Sequence, residues 1–286
     1  MIWLNGALHE GPTIPLDATD RGLLLADGVF ETLVVFHGRP FCLAEHLARL
    51  GAGARLLGFE APLRRAEEGL LAMAAKAPED GAVLRLTVTR GPGPRGLLPP
   101  ENPTPTIMVT MAPFNPALVF QPVSMVTVGT RRNEYSPLSR IKSLAYMDQT
   151  LALKEAREAG ADEALMLNTA GRPVCSSAAN IFVVVKDEVL TPPVGEGVLA
   201  GITRARFLSV ADLGGLKVVE RPLTAIDIAR ASEIFLTNSV RFFQPVSTVD
   251  EKELDQNAPV AKIALDLLRD LAERECMGPV PIASLQ

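Results

Sequence analysis

The sequence is poor in the groups that build cross-links and metal centres. Its three cysteines, Cys42, Cys175 and Cys276, are scattered and odd in number, without a CxxC, so a reduced compartment suits them better than a disulfide framework. The three histidines, His9, His37 and His46, have no ligand spacing and no HExxH around them, so no metal site is expected. Nowhere do 18 apolar residues run together, and MIWLNGALHEG lacks the basic-then-apolar order of a leader, so neither a membrane span nor a targeting segment is expected. Basic charge is not in excess either: 28 Lys and Arg stand against 33 Asp and Glu, a net charge of -5, and neither nucleic acid nor an anionic membrane is an expected partner. What remains is a globular composition, 48% hydrophobic and 21% charged over 286 residues, long enough for two domains or one large α/β domain and expected in the cytoplasm.

FETLVVF, HGRP and FCLAEHL read as strand, turn and helix start. That helix carries Leu43, Leu47, Leu50, Ala54 and Leu57 on one stripe and stops at Gly58. AVLRLTVTR and TIMVTM are further strands, so the first hundred residues read as strands with one helix between them. Residues 91–105, GPGPRGLLPPENPTP, are too rich in Pro and Gly for a regular element and read as a lid or binding loop. The expected division is a small α+β domain over 1–113, a linker over 114–121 and a larger α/β domain over 122–286. In the larger part, a helix is expected from Leu144 to Ala159, closed by Gly160, followed by strands EALMLN and NIFVVV and a helix opening at GITRARFLSVA. The last helix is expected to bury Val260, Ile263, Leu267, Leu268 and Leu271.

Three short stretches carry chemistry. GPGPRG matches the GxGxxG of dinucleotide sites, but LLPPENP forbids the helix that such a loop must open, so nucleotide binding is not expected. In GITR, Gly201 allows close approach of a ligand, and the amides of Ile202 and Thr203 begin a helix whose dipole favours an anion; an ordinary helix cap explains the same residues. Lys142, in SRIKSLAY, has apolar Ile141 and Leu144 around it, whereas the lysines of KDE, EKEL and LKEAREAG sit in polar stretches. Desolvation would lower its pKa and make a neutral amine available for reaction with a carbonyl; a solvated surface lysine is the alternative.

Together with DRGLLLADGVFET, HLARL, TRGPGPRG, GADEALMLN, SSAANIF, VLAGITR and TNSVRFFQPV, these stretches resemble, in order and spacing along nearly the whole chain, the fold-type IV enzymes that use pyridoxal 5'-phosphate. That family includes branched-chain and D-amino-acid aminotransferases and aminodeoxychorismate lyase. The resemblance implies two α/β domains with the cofactor at their interface, and a homodimer. It gives Lys142 the covalent bond to the cofactor and the proton transfer, and Arg49, Ile202, Thr203 and Ser239 the phosphate. Tyr146 resembles the tyrosine aimed at the cofactor's phenolic oxygen, Phe30 falls in the substrate pocket, and Arg95 matches an arginine that binds substrate carboxylate.

The departures from the pattern are informative. Leu97 stands where D-amino-acid enzymes have a His two residues after that arginine, so their carboxylate trap is incomplete here. Asn238 and Arg241 look more like the lyase than the GTAAE of branched-chain enzymes. Cys175, five residues before Asn180, replaces the Glu that holds the proton on the cofactor's pyridine nitrogen. The resemblance therefore implies, in order, an aminotransferase acting on amino acids and 2-oxo acids of the branched-chain or D-amino-acid type, a lyase forming 4-aminobenzoate and pyruvate, and a cofactor-binding protein with catalysis weakened at Cys175.

Overall fold

The computed structural model describes residues 1–283. The chain divides into two compact units, the first made of Met1–Phe114, Ile141–Ala145 and Ala272–Pro281, the second of Asn115–Arg140, Tyr146–Leu271 and residues 282–283. The α/β architecture expected from the sequence is the one the chain adopts.

The first unit contains β1 (Ile2–Leu4), β2 (Ala7–His9), α1 (Arg21–Leu25), β3 (Gly28–Phe36), β4 (Arg39–Pro40), α2 (Leu43–Leu56), α3 (Leu63–Ala74), β5 (Ala82–Thr89) and β6 (Ile107–Pro113). Its six strands lie in the order β2-β1-β6-β5-β3-β4. Alternation along the strands sends Val29, Leu33 and Val35 of β3 and Leu84, Leu86 and Val88 of β5 into a core with Leu47, Leu50 and Ala54 of α2 and Leu70 and Met73 of α3. The opposite face is left to Phe30, Arg85 and Thr87.

The single-helix expectation fails here, because α1 and α3 are present as well. The α3 stripe of Ala66, Leu70, Met73 and Ala74 is interrupted by Gly69, which lowers its apparent helicity, yet that glycine is needed: a Cβ there would lie 2.8 Å from the Trp3 ring.

The second unit contains β7 (Val123–Arg132), α4 (Met147–Glu158), β8 (Glu163–Asn168), β9 (Pro173–Cys175), β10 (Asn180–Val185), β11 (Glu188–Thr191), α5 (Ile202–Val210), β12 (Lys217–Glu220), α6 (Ala225–Arg230), β13 (Glu233–Asn238), β14 (Phe242–Val249), β15 (Lys252–Glu253) and most of α7 (Pro259–Cys276). Strands run β12-β11-β10-β13-β14-β7-β8-β9, and β9 also pairs with β10, so β10, β13, β14, β7, β8 and β9 close on themselves. Phe182 and Phe235 stack at 5.2 Å between ring centroids, with Phe207 edge-on to both.

Two helix expectations need correction. The helix expected from Leu144 begins at Met147, because Ile141–Ala145 is extended and bonded to β3. In α7 the buried residues are Ala261, Ala264, Leu265, Leu268, Ala272 and Cys276, so of the expected face Leu268 is buried while Ile263 is 40% exposed; alanines share the buried stripe with two leucines.

Candidate functional site

In the first unit the site grows from one edge of β3. Ser143 forms an antiparallel bridge with Val29, the Phe30 amide donates to the Lys142 carbonyl at 2.9 Å, and the Leu144 amide donates to the Gly28 carbonyl at 2.9 Å. This pairing sets Lys142 opposite Phe30, and its Nζ lies 4.3 Å from the centroid of the Phe30 ring. Arg85 of β5 covers the same ring at 3.8 Å. Burial, and then the nearby Arg49 and Arg85 charges, lower the Lys142 amine to about 8, although the Glu31 carboxylate works the other way.

Behind β3, Glu31 is fully enclosed and accepts from Arg49 Nε at 2.8 Å and Nη2 at 2.5 Å, with His46 Nδ1 at 2.7 Å. Burial alone would raise this carboxyl, but Arg49 and His46 outweigh it and hold it at about 2. Arg49 is therefore a fixed cation on α2, steered by a β3 carboxylate. Of the residues expected from the sequence, Lys142, Phe30 and Arg49 are gathered in this unit. Arg95 is exposed on the 91–105 loop and, among the described contacts, pairs with neither Lys142 nor Phe30.

The second unit holds another group. The registers Cys175 to Asn180 and Asn180 to Thr237 set these three side by side across β9, β10 and β13. Asn180 Nδ2 donates to the Leu199 carbonyl at 2.9 Å, which ties β10 to the start of α5. There Gly201 is the N-cap and supplies no side-chain hydrogen bond to the first turn. A Cβ at Gly201 would stand 2.0 Å from Asn180 Oδ1. Ile202 and Thr203 are buried at the helix start, and the hydroxyls of Thr237 and Ser176 are buried without a hydrogen-bond partner. Asn238 Oδ1 accepts from the amides of Val240 at 3.0 Å and Arg241 at 2.8 Å, shaping the turn that carries half-buried Ser239. Arg241 Nη1 donates to Gln244 at 3.4 Å, and Tyr146 is half-buried at the N-cap of α4.

Cys175 is a buried thiol raised to about 11 by desolvation, with the Arg132 cation pulling it down and the Glu163 carboxylate pushing it up. Glu163 Oε1 accepts from the amides of Ala164 at 2.8 Å and Ser177 at 3.2 Å. Asp162, the other acid weighed from the sequence as a stand-in, instead bonds Ser124 and Arg157 at the surface.

Each unit by itself presents groups of the kind that the cofactor implied by the resemblance would need. The first unit supplies an amine shifted toward neutrality beside a fixed arginine. The second supplies a helix start without a side-chain cap and two buried hydroxyls lacking partners, donors of the kind an anion or a polar ring would take. The sequence did not single out Glu31, Arg85, Arg132 or Thr237. Their roles come from partners distant in the chain, and only the alternation that brings Arg85 onto the Phe30 face was readable beforehand.

The family model for amino-transferase class IV matches residues 28–249. A protein of Methanocaldococcus jannaschii with the provisional name branched-chain-amino-acid aminotransferase is 36% identical over 269 residues, covering 93% of each chain. The D-alanine aminotransferase of Bacillus licheniformis is 30% identical over 265 residues, covering 90% of this chain and 91% of that one. Among solved structures, 4-amino-4-deoxychorismate lyase from Pseudomonas aeruginosa superposes with a TM-score of 0.84 at 33% identity, covering 94% of this chain and 98% of that one.

Proposed function

The chain belongs to the class IV aminotransferase family, and from that premise we propose that it moves an amino group between an aliphatic amino acid and a 2-oxo acid, with pyridoxal 5'-phosphate as cofactor. The observation that carries this reading is Lys142: an amine near neutrality, held against the Phe30 ring and next to the Arg85 cation. An amine with a pKa of about 8 is neutral in about a tenth of molecules at pH 7, against fewer than one in a thousand for an ordinary lysine.

When bound, the cofactor supplies the electron sink that makes the substrate's α-proton acidic. Lys142 would hold it covalently and, once displaced by the amino acid, take and return that proton. Arg49, fixed by Glu31, the amides of Ile202 and Thr203 and the Ser239 hydroxyl would take the phosphate, with Tyr146 on the phenolic oxygen. Cys175 would face the pyridine nitrogen as a neutral thiol. Phe30 offers an apolar wall to the substrate side chain. Arg95 would bind a substrate carboxylate, and Leu97 in place of His favours the branched-chain type over the D-amino-acid type.

We read the protein as a homodimer, supported by exposed leucines at 23, 24 and 25 of α1 and at 97 and 98 of the loop, each at least 44% exposed. Among the described residues no helix is long and apolar enough to cross a membrane, and the cytoplasmic reading rests on three buried cysteines, none of them in a disulfide.

Asn238 and Arg241, together with the likeness to the Pseudomonas aeruginosa lyase, favour a second reading, cleavage of aminodeoxychorismate. Assaying the purified holoenzyme with leucine, valine and D-alanine against 2-oxoglutarate, beside aminodeoxychorismate, separates the two. Turnover of leucine or valine is expected. Release of pyruvate from aminodeoxychorismate without any transamination would establish the lyase instead.

A further inference from the structure

Residues 91–105 contain prolines at 92, 94, 99, 100, 103 and 105, none of which has a backbone N–H, so the segment is short of donors to pair its own carbonyls. Arg21, the first residue of α1, supplies them. Its side chain is 5% exposed and each of its nitrogens is engaged: Nε donates to Asp27 Oδ2 at 2.8 Å, Nη1 to the carbonyls of Gly96 at 3.1 Å and Leu98 at 3.3 Å, and Nη2 to the carbonyl of Leu97 at 2.9 Å. The Arg21 amide donates to the Gly91 carbonyl at 3.0 Å, and a Cβ on Gly93 would stand 2.9 Å from Arg21 Cδ, so the loop's entry is fitted to this side chain. Asp27 also accepts from Arg90 Nε at 2.8 Å, and Arg90 holds the carbonyls of Leu57 at 2.6 Å and Gly58 at 3.1 Å. Immediately after Asp27 begins the Gly28–Phe30 stretch that bonds the Lys142 segment. The Pro-rich loop and the lysine segment thus share one buried anchor, and the loop is strapped where its composition alone suggested a lid.

We propose that Arg21 is a positioning residue for substrate binding, fixing the 96–98 backbone and with it the adjoining Arg95. The substrate-binding part of this proposal rests on the reading of Arg95 as the carboxylate-binding residue. Three successive carbonyls meet one planar fork, a geometry that the single ammonium of lysine cannot reproduce.

The test uses holoenzyme carrying Arg21→Lys or Arg21→Ala, with unchanged Trp3 fluorescence as the check on folding. Trypsin cleavage after exposed Arg95 should become at least about tenfold faster, and KM for the amino acid should rise about tenfold while kcat and cofactor absorbance hold. Millimolar guanidinium ion should restore KM in Arg21→Ala but not in Arg21→Lys. Cleavage at the wild-type rate in both variants overturns the strap, and faster cleavage with unchanged KM overturns its role in substrate binding. Arg95→Gln separates the underlying reading: if its KM stays at wild type while that of Arg21→Lys rises, the carboxylate role of Arg95 fails and the strap stands.

Discussion

Replacing Glu31 by Gln removes the one negative charge in a buried group of Arg49, His46 and Glu31 while keeping the shape of the side chain. In the folded protein this carboxyl drops from 4.5 to about 2, because Arg49 and His46 outweigh the cost of burial. At about 1.4 kcal/mol per tenfold, that is about 3 kcal/mol of stability. A carboxyl with a folded value below its unfolded one gives this stability in full above the unfolded value and loses it as pH falls through the folded one. From pH 6 to pH 3.5 the wild type should therefore lose about 1 kcal/mol through Glu31, and Glu31→Gln should lose none through that position.

At pH 6 the variant should be less stable by about 3 to 5 kcal/mol, since Arg49 is left in a mostly enclosed place facing an amide. Equilibrium unfolding in urea, read by Trp3, measures this directly: Trp3 is the chain's single tryptophan, 5% exposed, in the same core as Leu47 and Leu50 of α2. The stability gap between wild type and variant should narrow by about 1 kcal/mol at pH 3.5. An unchanged gap would refute the ion-pair account of Glu31. The same substitution has a second readout, because Glu31 opposes the downward shift of Lys142. In the apo-protein the midpoint for acylation of Lys142 should lie near pH 8 and move lower in Glu31→Gln; a midpoint that does not move would show that the two groups are uncoupled.

Two further outcomes are expected. Burial holds the Cys175 thiol near 11, so at pH 8 only about one molecule in a thousand carries the thiolate, and alkylation of native protein followed by peptide mapping should leave Cys175 unlabelled until denaturant is added; rapid labelling there would contradict the desolvated setting. Gly201→Ala forces a methyl against Asn180 and should weaken retention of pyridoxal 5'-phosphate at least about tenfold, measured by dialysis and absorbance, whereas wild-type retention would show that the start of α5 does not approach the cofactor.

The sequence was most legible where one element carries its own signal. The strand FETLVVF follows from its run of strand formers before the HGRP turn, the α2 stripe from its spacing of three and four, and Gly201 followed by Ile202 and Thr203 marks a helix start. It was less legible where small residues share the packing: α3 hides behind Gly69, and Ala261, Ala264 and Ala272 shift the buried face of α7 onto Leu265 and Leu268 and away from Ile263. The Lys142 segment was misread because SLAYMDQTLALKEA is helix-forming throughout. Its first residues are instead drawn into extended pairing by the free edge of β3, a tertiary preference that no local propensity reports. The same holds for Arg21, which looks in sequence like a surface residue beside an acid and is buried because a donor-poor loop needs its guanidinium.

The departure at Cys175 gains definition from its surroundings. A thiol could do the work of the missing acid only as a thiolate, and desolvation, reinforced by Glu163, pushes it the other way more strongly than Arg132 pulls it back. Neither neighbouring acid is well placed to substitute. Asp162 is turned to Ser124 and Arg157, and one Glu163 oxygen already accepts the amides of Ala164 and Ser177, which shape the turn between Cys175 and Asn180. A cofactor ring met by Cys175 would therefore receive a neutral, weakly polar contact, and its nitrogen would gain no charge-assisted stabilisation of a bound proton. The electron sink would be weaker for that reason, so proton removal would depend more heavily on the base. On the proposed reading, a lysine lowered to about 8 by burial and by two neighbouring arginines, and so neutral in about a tenth of molecules at pH 7, would be a base shifted toward that demand.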